Sequence, residues 1–193
     1  AFVEAQPLPD VTGWALVGQT PRVITYEATF ETYELMEGEP PYMEFGSGLI
    51  RFDAGGAPVT IRRRPVQVGI SVPTTEMPAG GYPIVLYGHG TGGDHTTHLR
   101  NEGAQIARAG LAMIGLEAAL HGDRNPGGLD VESLILANPV AAREVVRQTV
   151  IDMLLMYRML RDGRFAIPAS VAPGGAGIPF DVARMSYMGH SQG

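Results

Sequence analysis

Two short runs, Pro83-Ile84-Val85-Leu86-Tyr87 and Leu111-Ala112-Met113-Ile114-Gly115-Leu116, are apolar at nearly every position. A strand with one wet face would alternate, so these runs predict strands buried on both faces, as inside a parallel sheet. Parallel neighbours need long crossovers, and the intervening sequence supplies helices. Helical character is expected around Leu99 to Ala109, with Gly110 as the stop. Asn138-Pro139, a capping side chain before proline in the first turn, opens a helix expected to run to about Asp162, with Gly163 ending it. Its second half, Val150 to Tyr157, is apolar almost all round, which predicts cover on most sides. A Pro/Gly loop over 168–179 and the turn-like Ile178-Pro179-Phe180-Asp181 lead to a third apolar run, Met185-Ser186-Tyr187-Met188. Strand, helix, strand, helix, strand implies right-handed crossovers in a mostly parallel sheet.

The opening reads differently. Residues 1–21 are Pro-rich and aperiodic and are expected to follow the surface as an arm. Val23 to Phe30 is rich in β-branched and aromatic residues and predicts a strand. Glu37 to Pro41 predicts a turn, Leu49 to Phe52 a short strand, and Asp53-Ala54-Gly55-Gly56 a tight connection. Val59 to Arg63 and Val66 to Val72 continue the pattern. Strands in succession without helices point to an antiparallel start. Arg62-Arg63-Arg64 fits a solvated sheet edge better than an anion site. The expectation is one domain, with an arm and antiparallel strands over 1–81 and a parallel β/α part over 82–193.

Composition excludes several classes. Hydrophobic content of 45% and charged content of 18% describe a globular chain with a sizeable core. A net charge of −6 gives no electrostatic reason for nucleic-acid binding. The absence of cysteine removes disulfides, thiol catalysis and Cys-zinc sites. No charge-free apolar run reaches the length of about 18 residues needed for a membrane span. No signal peptide is visible, and the start at Ala1 suits a processed N-terminus or a trimmed chain equally.

Chemistry concentrates in two glycine-rich turns. Gly189-His190-Ser191-Gln192-Gly193 follows the third apolar run in a G-x-S-x-G pattern. Small residues on both sides of a serine suit a sharp reversal with the serine strained at the tip. Upstream, Gly88-His89-Gly90-Thr91-Gly92-Gly93 ends the first buried strand. Ester hydrolysis needs a nucleophilic serine oxygen and donors placed where the carbonyl oxygen becomes negative. The N–H of Gln192 offers one donor, and an N–H of the Gly90-Thr91 turn offers the other.

The upstream turn also matches G-x-G-x-x-G at Gly88, Gly90 and Gly93, with Glu117 in the place of a ribose-binding acid. A Rossmann-type nucleotide-binding oxidoreductase domain is therefore the rival reading. Against it, Asp94-His95-Thr96-Thr97-His98 intervenes where a helix should begin, and Asp94 would face the phosphates. A binding module that keeps the fold without the chemistry is a third option. His95 and His98 with Asp94 have metal-like spacing, but a polar loop containing histidines is the preferred reading.

The two turns, in this order, resemble the α/β-hydrolase family, specifically bacterial serine esterases and lipases with an H-G-x oxyanion turn. The resemblance covers 82–193 and makes the earlier strands the antiparallel start of an α/β-hydrolase sheet. It implies Ser191 as nucleophile, Thr91 and Gln192 as oxyanion donors through their backbone N–H groups, and no metal or other cofactor. His89, Gly90, His121 and His190 then fall to pocket or loop support, with His190 pointing away from Ser191. Apolar or uncharged ester substrates, lipid-like or polymeric, are expected, and an extracellular or periplasmic location follows from the same likeness. The family's order is Ser, then acid, then His. No residues follow Gly193, so the fold is expected to be incomplete without a C-terminal portion. That portion, or a second chain produced by cleavage after Gly193, would bring the acid and the histidine, and the isolated chain 1–193 should be inactive.

Overall fold

A computed structural model describes residues 1–100, 102–128 and 131–193. Six strands make one sheet: β1 (Val11–Gln19), β2 (Val23–Glu34), β3 (Arg62–Pro73), β4 (Tyr82–Gly88), β5 (Ala112–Leu116) and β6 (Phe180–Gly189). Their spatial order is β1-β2-β3-β5-β4-β6. β1, β2, β3 and β5 pair antiparallel in turn, whereas β4 pairs parallel with both β5 and β6. This is a mixed α/β sheet with antiparallel N-terminal strands and a parallel part beginning at β4.

The first two apolar runs are buried as their composition requires, whereas the third lies on edge strand β6 with Tyr187 and Met188 exposed. Ile84 and Leu86 of β4, with Ala112, Ile114 and Leu116 of β5, face one core, which Leu155, Met156, Met159 and Leu160 complete. Val85, Tyr87 and Met113 face the opposite side, where Ile106 and Leu111 pack on them. Helices α2 (Thr97–Arg100) and α3 (Glu102–Arg108) lie in the β4–β5 crossover. The helix expected over Leu99 to Ala109 is found on both sides of Asn101, which lies outside the described residues. Helices α4 (Val131–Ala137) and α5 (Pro139–Arg161) carry the chain from β5 to β6, on the far side of β4. The strand order thus turns back at β4, and a crevice opens at the carboxyl ends of such strands.

Helix α5 starts as its sequence dictates. Asn138 Oδ1 accepts from Ala141 N–H at 3.2 Å, and Asn138 Nδ2 donates to the carbonyls of Tyr42, Glu44 and Ser47. Gly163 follows the helix with φ +75°, a left-handed conformation that suits its end. Asp152, inside the apolar half, is fully buried. Its carboxylate accepts from Thr32 Oγ1 (2.6 Å), Gln148 Nε2 (2.8 Å) and Arg124 Nη1 (2.6 Å), which fastens α5 to β2 and to the loop after β5.

Four expectations need correction. The arm over 1–21 is structured: Phe2–Ala5 forms α1, and Val11–Gln19 forms edge strand β1. The segment Leu49 to Phe52 contributes only isolated bridges, Met36 with Ile50 and Phe52 with Pro58. The arginine triplet lies within β3 opposite Thr32, Tyr33 and Glu34. Each arginine has its own partner: Arg62 binds Glu39, Arg63 covers the Tyr33 ring at 3.6 Å, and Arg64 pairs with Glu34 at 2.7 Å. Finally, α5 is not covered on most sides. Val146, Val150, Leu154 and Tyr157 recur at helical spacing and are 41–51% exposed. Among the described residues, no helix is long and apolar enough to cross a membrane.

Candidate active site

The two glycine-rich turns leave the carboxyl ends of neighbouring parallel strands, β4 and β6, beside the point where the strand order turns back. Their roots are joined by a hydrogen bond from His190 N–H to the Gly88 carbonyl at 3.0 Å. Gly193 N–H donates to the His190 carbonyl at 2.9 Å and closes a tight turn around Ser191 and Gln192. Ser191 stands in the left-handed region at φ +55°, a conformation that a residue with a Cβ adopts rarely and at a cost. The flanking glycines are there for space. A Cβ on Gly193 would run into the Gly88 carbonyl, and one on Gly189 into the Gly193 carbonyl. The backbones of the two turns touch directly, and the serine projects from an exposed tip.

Gly90 faces that tip. A Cβ there would lie 2.9 Å from Ser191 Cβ and 3.0 Å from His190 Nδ1. Thr91 Oγ1–H donates to Gln192 Oε1 at 2.9 Å, so the two residues expected to present main-chain donors are neighbours across the gap. Gly93 N–H donates to the Gly90 carbonyl at 3.0 Å and folds the upstream turn on itself.

His89 is buried under this turn. Its Nε2 accepts from Ala118 N–H at 3.1 Å, so the proton sits on Nδ1, which donates to the Gly90 carbonyl at 2.9 Å. Burial holds its pKa below the usual histidine value, outweighing the contact with the Gly90 carbonyl. A neutral ring of this tautomer ties the upstream turn to the loop after β5. His121 packs against it with ring centroids 4.9 Å apart, and its Nδ1 lies 2.9 Å from the Ala119 carbonyl.

Of the remaining histidines, His95 and His98 pack against other residues. His95 Nδ1 meets Glu117 Oε2 at 2.9 Å. Burial lowers the His95 pKa, but the carboxylates of Glu117, Glu27 and Asp94 together more than offset it, and the net shift is upward. His98 is fully buried against Tyr87, with centroids 5.4 Å apart, and burial pushes its pKa down to about 4. Asp94 Oδ1 accepts from the N–H and hydroxyl of Thr96 at 2.8 and 2.7 Å, shaping the turn that starts α2. The metal-like spacing of Asp94, His95 and His98 is therefore a set of three separate contacts. His190 turns toward Gly90. Among the described residues, no histidine hydrogen-bonds Ser191.

Glu117 removes the support for the nucleotide reading. It is 1% exposed, with Oε2 on His95 and Oε1 accepting from Arg124 N–H at 3.2 Å. Neither oxygen is free for a ribose. The glycines also end in a turn, and helix begins only at Thr97.

Beside the site runs a trough of about 420 Å³ between α5 and the ends of β4 and β6. Its walls include Leu86, Val146, Val150, Leu154, Tyr157 and Tyr187, and Gln192 and Gly193 form one end. Ser191 is not among the lining residues. Sequence reasoning did not anticipate this trough or the Asp152–Arg124 pair; the one available hint was a lone acid inside an apolar helix.

Neither a protein-family model nor a curated relative matches this sequence. Solved structures do. Acetyl xylan esterase 1 from a Thermoanaerobacterium species is 15% identical with a TM-score of 0.55, and the match covers 96% of this chain and 46% of that one. A Bacteroides fragilis protein described as an acetyl xylan esterase is 10% identical with a TM-score of 0.54, over 100% and 44%. The acetyl xylan esterase of a Paenibacillus species is 18% identical with a TM-score of 0.49, over 99% and 48%. At such identities the likeness is one of fold, and the fold is that of the α/β-hydrolases. The chain spans less than half the length of these three structures.

Proposed function

We propose that this chain carries the nucleophile and oxyanion half of a serine hydrolase acting on carboxylic esters. The observation that carries the reading is Ser191 at φ +55°, on an exposed turn packed backbone to backbone against a second glycine turn. Strain of this kind persists where the surroundings enforce it, and it clusters at working sites. In this mechanism Ser191 Oγ attacks the acyl carbon and a general base takes its proton. The carbonyl oxygen becomes negative and is met by the N–H groups of Thr91 and Gln192. Collapse expels the alcohol, which leaves with that proton, and water then releases the acid from the acyl-enzyme.

Among the described residues none of the five histidines hydrogen-bonds Ser191, so we assign the base and its carboxylate partner to residues outside these 193, in a continuation of the polypeptide or a second chain. The esterases of similar fold are more than twice as long, which supports this. We read the trough as a seat for further structure and not as the acyl pocket, because Ser191 does not line it and one wall is the exposed stripe of α5, Val146, Val150, Leu154 and Tyr157. Uncharged esters remain the expected substrates.

The test is labelling with a fluorophosphonate, alongside turnover of p-nitrophenyl acetate, using the protein at its native length. Both signals should vanish in Ser191→Ala. Labelling that persists in that variant, or a wild-type protein inert in both assays, ends the proposal.

A further inference from the structure

We infer that the Thr91 hydroxyl and the Gln192 side-chain amide form a latch that sets the spacing of the two main-chain donors beside Ser191, which makes Thr91 a positioning residue through its side chain. The inference rests on the hydrolase reading and deepens it. Thr91 lies on the turn after β4 and Gln192 on the turn after β6, and their side chains bond at 2.9 Å. The roots of these turns are held by the rung from His190 N–H to the Gly88 carbonyl. Beyond it, the bonds Gly193 N–H to His190 O and Gly93 N–H to Gly90 O each close one turn and do not cross to the other. Among the described residues, the Thr91–Gln192 bond is the hydrogen bond that joins the tips.

Both residues are exposed, so packing does not hold them. An exposed turn fixed only at its root is free to move at its tip. Two N–H donors serve one developing oxyanion only if both stay near hydrogen-bond distance of the same point. A bond between the side chains of the donor residues limits that drift without occupying the N–H groups. The bond is neutral and solvent-accessible, so its loss should reduce turnover roughly 3–10-fold and not abolish it.

The experiment compares Thr91→Val, Thr91→Ser, Gln192→Met and the Thr91→Val/Gln192→Met double variant in the native-length protein. One readout is the backbone 15N order parameter at residues 91 and 192, which needs no activity. The other is kcat and KM for p-nitrophenyl acetate. A latch predicts that Thr91→Val loosens the amide at residue 192, and that Gln192→Met loosens the amide at residue 91. Each single variant loses kcat with KM nearly unchanged, the double variant loses no more than either single one, and Thr91→Ser stays close to wild type. An unchanged order parameter at residue 192 in Thr91→Val overturns the latch. So does a kcat loss in Thr91→Val that Gln192→Met does not share, since the hydroxyl would then act directly on substrate. Order parameters that respond in an enzyme without ester turnover or Ser191 labelling would confirm the tie, but would remove the hydrolase reading and with it the catalytic role of Thr91.

Discussion

Ser191→Gly should make this protein more stable while abolishing its labelling. Ser191 holds a left-handed backbone, and for a residue with a Cβ that conformation costs roughly 1–2 kcal/mol. Glycine removes the cost but brings a more flexible unfolded chain, worth roughly 0.5–1 kcal/mol in the other direction. The side chain is exposed and makes no hydrogen bond within the described residues, so nothing else is lost. The net expectation is a gain of about 0.5–1 kcal/mol, or roughly 1–4 °C in Tm for a chain of this size. Ser191→Ala is the control, because it deletes the oxygen and keeps the Cβ, so its Tm should stay at the wild-type value. Calorimetry on the three proteins under one buffer measures the differences. A glycine variant no more stable than the alanine variant would refute the argument, because strain at the tip is the basis for reading the turn as a working site.

The other predictions address the supports of the site. His98, neutral when folded with a pKa near 4, becomes protonated in the unfolded chain around 6.5. Its contribution is therefore intact above pH 6.5 and is lost as pH falls toward 4, by about 3 kcal/mol at 1.36 kcal/mol per pH unit. Urea unfolding of wild type and His98→Leu between pH 7 and 4.5 should show the gap between them shifting toward the variant as pH falls; parallel curves would refute it. The His95–Glu117 pair works in the opposite direction, and the difference between two proteins that share it cancels it. Asp152→Ala leaves the Arg124 guanidinium buried without its carboxylate and should cost about 3–5 kcal/mol in the same assay. Gly90→Ala places a Cβ 2.9 Å from Ser191 Cβ and should lower ester turnover by at least ~100-fold while shifting Tm by only a few degrees.

How much of this was legible depends on whether the physical demand was local. β4, β5 and α5 could be read because each is specified by its own residues: unbroken apolar runs, an Asn-Pro start and a closing glycine. β1 could not. Gly13 sits at φ +64°, and the register with β2 slips between Thr12 and Ala15 and again between Leu16 and Gly18, so the alternation that betrays a strand is broken. The Asp152–Arg124–Thr32 cluster joins residues 28 and 120 positions apart, and no local pattern announces such a pairing.

The site divides along the same line. Each glycine turn was readable alone, because a backbone that meets another backbone tolerates no Cβ, and that demand is written at Gly189 and Gly193. What the turns meet was not written, and there the sequence supported two functions at once. G-x-G-x-x-G with a downstream acid is a local pattern, and the same residues also satisfied a nucleotide-binding reading. Only placement separates the two. Glu117 is enclosed, with both oxygens engaged by His95 and the Arg124 N–H, so the acid that would have held a ribose instead anchors the loop that His89 ties to the Gly90 turn. Glu117→Gln therefore discriminates between the readings. It should loosen His95 and slow ester turnover modestly through the Gly90 turn, and it should leave any affinity for NAD, measured by calorimetric titration, undetectable before and after the change. NAD binding by the wild type that the substitution abolishes would reverse the assignment.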